Sequence, residues 1–300
     1  MLKNKTAFIV LALFCTYFIW GSTYLAIRFA IESFPTFLMV GLRFTAAGAL
    51  LYVVMRYVGS PNPTLKEWQG ATIIGLLLPV FGNGTVTHVQ HTISSSVAAL
   101  SIATAPIWMA IFSSFVGEKN KLHKITRQEW LGIAIGFVGI VLLNIGGSLH
   151  GNLISALLLM FAAASWSFGS VLGKHIAMPA GLMGAACQML CGGVIALILS
   201  VLFGETWPAH ISEKSWWAMW FMIVLGSIVA YSAYQWLLKN VRPLVASSNT
   251  FVNPIVAFVV GIWLANETVS ANEYVALAVI LVGVFLILSA ENKDMLFNKT

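Results

Sequence analysis

Apolar residues recur along the chain in blocks of about 20, separated by short polar stretches. A block of that length covers a hydrocarbon core about 30 Å thick at about 1.5 Å of helical rise per residue. The first block runs from Ala7 to about Phe29. The others fall at about 36–56, 69–90, 93–116, 128–146, 152–173, 181–203, 215–238, 243–265 and 271–290. The pattern predicts an all-α polytopic membrane protein of ten transmembrane helices. The first block follows Lys3 and Lys5 as an export signal would, yet it is too long and no cleavage pattern follows it.

Composition agrees. Of the 300 residues, 59% are hydrophobic and only 9% charged, where a soluble domain carries roughly a quarter charged residues. Ten spans leave only short loops, with no room for a nucleotide-binding, ectodomain or soluble catalytic domain. The net charge of +6 comes from dispersed loop residues, which argues against a nucleic-acid partner. With the N-terminus in the cytoplasm, the inner segments hold Lys3, Lys5, Arg56, Lys66, Lys119, Lys121, Lys124, Arg127, Lys174, Lys239, Arg242, Lys293 and Lys299. Only Arg28 and Lys214 fall outside, with Arg43 within a span, so the positive-inside rule predicts that both termini are cytoplasmic. Cys15, Cys187 and Cys191 lie in apolar blocks without a metal or disulfide spacing and read as packing residues.

The chain repeats itself at an offset of 144 to 149. Trp20 falls on Trp166, Arg28 on Lys174, Leu38 and Met39 on Leu182 and Met183, and Gly48 on Gly192. Pro106 falls on Pro254, Glu118 on Glu267, Glu129 and Trp130 on Glu273 and Tyr274, and Gly139 on Gly283. Five spans per copy is an odd number, so the second copy must enter the membrane from the opposite side. The expected organisation is a five-helix repeat over 1–147, an inverted five-helix repeat over 148–291 and a cytoplasmic tail over 292–300. Inverted repeats mark alternating-access transporters, whose substrate site lies near the midplane between the halves.

Several segments carry a family resemblance. Phe18 to Arg28 (FIWGSTYLAIR), PIWMAIFSSFVGE and NPIVAFVVGIWLANE resemble the EamA branch of the drug/metabolite transporter superfamily. VGLRFTAAG, FGNGTVTHVQH and WSFGSVLGKHIAMPAG are similar to its YedA-like bacterial inner-membrane members. The resemblance covers about residues 7 to 290. It implies ten spans, cytoplasmic termini and export of small metabolites or drugs, with a cavity lined mainly by spans 1, 3, 4, 6, 8 and 9.

Polar groups inside spans map the candidate site, because a hydrogen-bonding group in hydrocarbon costs several kcal/mol unless it finds a partner. Arg43 lies about seven residues into the second span and is the sharpest of them; it could hold a substrate carboxylate or phosphate through a bidentate contact, or serve as a structural cation. In the third span Asn83, Thr87 and Gln90 share a face, with His88 on the adjacent one. Tyr231, Tyr234 and Gln235 of the eighth span and Asn249 and Asn253 of the ninth lie near the middle of the other half. Asn253 directly precedes Pro254, and Ser101, Thr104 and Pro106 form the matching interruption of the fourth span, so both prolines are expected to kink their helices at cavity level. Trp20, Thr23 and Trp166 add aromatic surface and a hydroxyl, suited to an aromatic or cationic solute or to packing. GIAIG, Gly132 to Gly136, is a spacing for close helix contact within the bundle.

No acidic residue lies in the middle of a span, so proton coupling would fall to His88, whose ordinary titration range lies near neutrality. No GxxxxGK[ST] motif provides for ATP hydrolysis, and no pattern of nucleophile and base suggests an enzyme. No cofactor or metal is expected. The partners expected are a small-molecule substrate and the bilayer, with the chain a monomer or weak homodimer. The function expected is export across a bacterial inner membrane, the alternative being a membrane-embedded sensor without transport.

Overall fold

Uninterrupted apolar runs wind into helices because no water is present in a bilayer to satisfy free backbone groups. A computed structural model describes residues 2–116, 126–146, 153–241, 246 and 249–297, and among them no strand occurs. The helical segments are α1 (Leu2–Ala30), α2 (Thr36–Tyr57), α3 (Leu65–Val89), α4 (Ser95–Ser113) and α5 (Arg127–Gly146). The remainder are α6 (Leu153–Leu172), α7 (Gly181–Leu202), α8 (Glu213–Asn240), α9 (Asn249–Ala265) and α10 (Ala271–Phe297). Seven of them, α1 to α4 and α6 to α8, are long and apolar enough to cross a membrane. Shorter apolar stretches lie at Val252–Ala265 and Ala271–Gly283. Glu118 and the basic residues Lys119, Lys121, Lys124, Arg242 and Lys299, as well as the expected start of the ninth span, lie outside the described residues.

Two features depart from a simple reading of the apolar blocks. Helix α10 runs to Phe297, through most of the segment expected as a tail, since no Gly or Pro stops the helix where the apolar run ends. In α3 and α8 the turns over Leu76–Gly84 and Met222–Tyr231 widen to i→i+5 spacing. Such wide turns are rare and gather at functional sites. Helix α4 is broken at Ala103 and Thr104, just before Pro106, as its polar interruption suggests, whereas α9 continues through Pro254.

The helices pair in a reciprocal pattern. Helix α2 packs on α7 and α5 on α10; α1 meets α9 and α8, while α6 meets α4 and α3. Small residues set the close approaches, as membrane helix contacts require. A Cβ on Gly48 would sit 2.4 Å from the Leu190 nitrogen, and one on Gly193 would sit 2.3 Å from the Thr45 nitrogen. The GIAIG spacing is used inside the chain: a Cβ on Gly283 of α10 would lie 2.7 Å from the Gly132 oxygen and the Gly136 nitrogen. The outer surface is apolar, with Val53, Ile154, Trp263 and Phe285 among its exposed side chains.

At one end of the bundle carboxylates join elements distant in sequence. Glu205, after α7, accepts from the backbone nitrogens of Phe37 at 3.0 Å and Leu38 at 2.7 Å, capping α2. Glu267, after α9, accepts from the nitrogens and hydroxyls of Ser95 and Ser96 at the start of α4, and pairs with Arg28 of α1. Lys214 pairs with Glu32 at 2.6 Å. Burial raises the Glu267 pKa, but these hydrogen bonds outweigh it and hold the carboxyl below its ordinary value.

Candidate functional site

A cavity of about 70 Å³ lies among α1, α2, α3, α4, α6, α8 and α9. Its polar lining comes mainly from Thr23, Arg43, Asn83, Asn249, Thr250 and Asn253, and among the described residues no Asp or Glu lines it. At roughly 10–15 Å³ per water, the volume admits only a few water-sized groups in this state.

Arg43 is the charged centre. It is 3% exposed, and its Nε donates to Ser227 Oγ at 2.8 Å. Its Nη1 reaches only the Met222 sulfur at 3.7 Å, and the guanidinium carbon lies 4.6 Å from the centre of the Phe44 ring. Among the described residues no carboxylate pairs with it and Nη2 has no hydrogen-bond partner. Gly226 makes room for the group: a Cβ there would stand 3.1 Å from Nη2 and 3.0 Å from Thr23 Cγ2. The repeat counterpart of Arg43, Cys187, is buried against Ala71 and Met183 away from the cavity, so the charge belongs to one half alone.

One wall is aromatic. Trp20 and Trp166 meet edge to face with centroids 5.4 Å apart, and Tyr234 packs on both at 5.0 and 5.7 Å. Their polar tips are tied within the protein. Trp20 Nε1 donates to the Gly226 carbonyl at 2.9 Å, Trp166 Nε1 to the Tyr234 hydroxyl at 3.2 Å, and the Tyr231 hydroxyl to Gln188 Oε1 at 2.7 Å. What faces the cavity is therefore ring surface.

Behind this wall lies a second cavity of about 410 Å³, lined by Ser170, Lys174, Gln188, Gln235, Lys239 and apolar residues. Lys174 Nζ donates to the Val241 carbonyl and Lys239 Nζ to the Pro179 carbonyl. At the other end, beyond Tyr24 and Ile27, an open depression is lined by Arg28, Glu32, Gln90, His91 and Glu267.

The structure thus gathers Trp20, Thr23, Arg43, Asn83, Trp166, Tyr231, Tyr234, Asn249 and Asn253 around one space. The other residues singled out by sequence lie elsewhere. His88 is exposed and lies off the cavity. Thr87 is buried beside it with its hydroxyl unpartnered. Ser101 and Thr104 turn their hydroxyls back to the carbonyls of Val97 and Ser101 at the break in α4. Gln235 lines the second cavity instead. Sequence reading passed over Ser227 and Gly226, whose signal was a single Gly-Ser step in the apolar run from Met222 to Ala230. It also passed over Phe44 and Thr250, ordinary residues within apolar or mixed runs.

A bundle of apolar helices around a small cavity that holds a buried cation fits a membrane transporter. The profile of the EamA-like transporter family matches residues 7–145 and again residues 153–289, and the chain belongs to that family. It is 43% identical over 277 residues to the "uncharacterized inner membrane transporter YedA" of Escherichia coli, covering 92% of this chain and 89% of that protein. It is 24% identical to the "uncharacterized transporter YoaV" of Bacillus subtilis, over 93% and 96% of the two chains. A crystal structure 18% identical in sequence shares the fold with a TM-score of 0.68, covering 95% of this chain and 98% of that one.

Proposed function

We propose that the chain is a secondary transporter of the inner membrane that exports small organic metabolites, amino-acid-like or aromatic, or drugs, by alternating access. The observation that carries this reading is the central cavity, lined from both halves of the sequence, with the counterparts Trp20 and Trp166 in contact at one wall. A site that opens in turn to each side lies between two movable halves.

The halves are the repeats at 1–147 and 148–291, related by inversion, with ten crossings in all and both termini cytoplasmic. Support comes from the reciprocal packing: exchanging each helix for its counterpart five helices along carries the α1–α9 contact onto α6–α4 and the α1–α8 contact onto α6–α3. The twofold match of the family profile and the inner-membrane naming of YedA point the same way. In this orientation the ties of Glu205, Glu267 and Glu32 close the outer end. The cavity with Lys174 and Lys239 faces the cytoplasm.

The test is counterflow in proteoliposomes, with pooled amino acids, nucleobases and aromatic drugs, with and without a pH gradient. Exchange of any pool above protein-free liposomes supports transport. Silence from folded protein across all pools contradicts it and favours a sensor.

A further inference from the structure

We infer that the solute carried by this site is an organic monocarboxylate with an aromatic or apolar body, whose negative charge pairs with Arg43. The inference rests on the transport reading of the same cavity and adds the charge and shape of its cargo.

Three observations support it. The first is Arg43 itself. A buried cation without a counter-charge is strongly unfavourable, and an anionic ligand supplies what the protein omits. Its Nη1 and Nη2 donate to no oxygen among the described residues, while Ser227 fixes Nε. A guanidinium held by one edge presents its other nitrogens as the planar fork that fits a carboxylate.

The second is the path to it. The cavity behind the aromatic wall carries Lys174 and Lys239, and among the described residues neither it nor the central cavity has an Asp or Glu in its lining. Low-dielectric walls lined by one sign of charge concentrate ions of the other. The depression at the opposite end is different: Glu32 and Glu267 line it, and Arg28 is already paired with Glu267. Anions are therefore captured from the lysine side.

The third is the remaining lining. One guanidinium balances one negative charge, which selects a carboxylate over a dianionic phosphate ester. No acidic side chain is present to hold a cationic body, and the tips of Trp20, Trp166, Tyr231 and Tyr234 are occupied, which leaves ring faces for an apolar or aromatic group.

A series that keeps the phenyl ring and changes the head group tests this on the full chain in nanodiscs, by calorimetric titration of phenylacetate, phenyl phosphate and phenethylamine. Phenylacetate is expected to bind at least roughly tenfold more tightly than the other two, and Arg43→Gln to weaken it roughly tenfold or more. Arg43→Lys, which keeps the charge and loses the fork, should fall between. Binding of phenethylamine as tight as that of phenylacetate, phenylacetate binding indifferent to Arg43→Gln, or silence from all three compounds overturns the proposal. Should Arg43→Gln fail to fold, the head-group order on the unsubstituted chain decides alone. Counterflow of the same compounds separates the two readings. Binding as expected without counterflow contradicts transport only, whereas counterflow of phenethylamine and not phenylacetate contradicts the anion only.

Discussion

Trp20 and Trp166, counterparts in the two halves of the sequence, touch edge to face at 5.4 Å and, with Tyr234, line the central cavity, while Ser170, beside the Tyr234 hydroxyl, lines the lysine-lined one. The Tyr234 hydroxyl is the pin: it lies 2.9 Å from Ser170 Oγ and accepts from Trp166 Nε1. Tyr234→Phe removes the pin with almost no change in volume and leaves the partly buried Trp166 indole N–H unpaired, at about 1 kcal/mol. The variant is expected to fold with a lower Tm and to let substrate leak from loaded proteoliposomes faster than the unsubstituted chain. An unchanged leak would show that the wall is held by ring packing alone.

Gly226 is the space beside Arg43. The Cβ of Gly226→Ala comes closer to Arg43 Nη2 and Thr23 Cγ2 than ordinary van der Waals contact, by a few tenths of an ångström, and crowding of this kind typically costs about 1–3 kcal/mol. Because Trp20 also bonds to the Gly226 carbonyl, the guanidinium has to give way rather than the backbone. Substrate affinity should fall while the charge remains, a result readable by titration against Gly226→Ala and Arg43→Gln side by side.

Glu267 ties the α9–α10 connection to the start of α4 and to Arg28. Its folded pKa is held below the ordinary value, so its contribution to stability is present above the ordinary carboxylate range and lost as the pH falls through the lowered folded value. Glu267→Gln should lower stability at neutral pH by about 1–3 kcal/mol. The gap in Tm between the two proteins should narrow as the pH is brought to about 4 and below. A gap independent of pH would mean that the charge of Glu267 contributes nothing.

The helices were legible because apolar runs of this length have few alternatives, and much of the site was legible because Arg43, Asn83, Asn249 and Asn253 are polar where hydrocarbon surrounds them. The errors have a geometric cause. The stripe of Asn83, Thr87 and Gln90 assumes 3.6 residues per turn, but α3 widens over Leu76–Gly84. Beyond that stretch Val86 lines the cavity and Gln90 donates to the Tyr24 carbonyl at 3.2 Å, while His88 is exposed. A periodicity argument cannot anticipate a change of period that its own residues do not announce. Glu267 was legible as the counterpart of Glu118, but its role as a cap depends on Ser95 and Ser96, about 170 positions away in the chain.

Asn83 lines the central cavity from α3 and gives a direct probe of alternating access. With Cys15, Cys187 and Cys191 replaced, Asn83→Cys is treated with a membrane-impermeant thiol reagent from each side of the membrane in turn. The account predicts labelling from both sides, slowed from both by bound substrate. Labelling from one side only, with or without substrate, would contradict it.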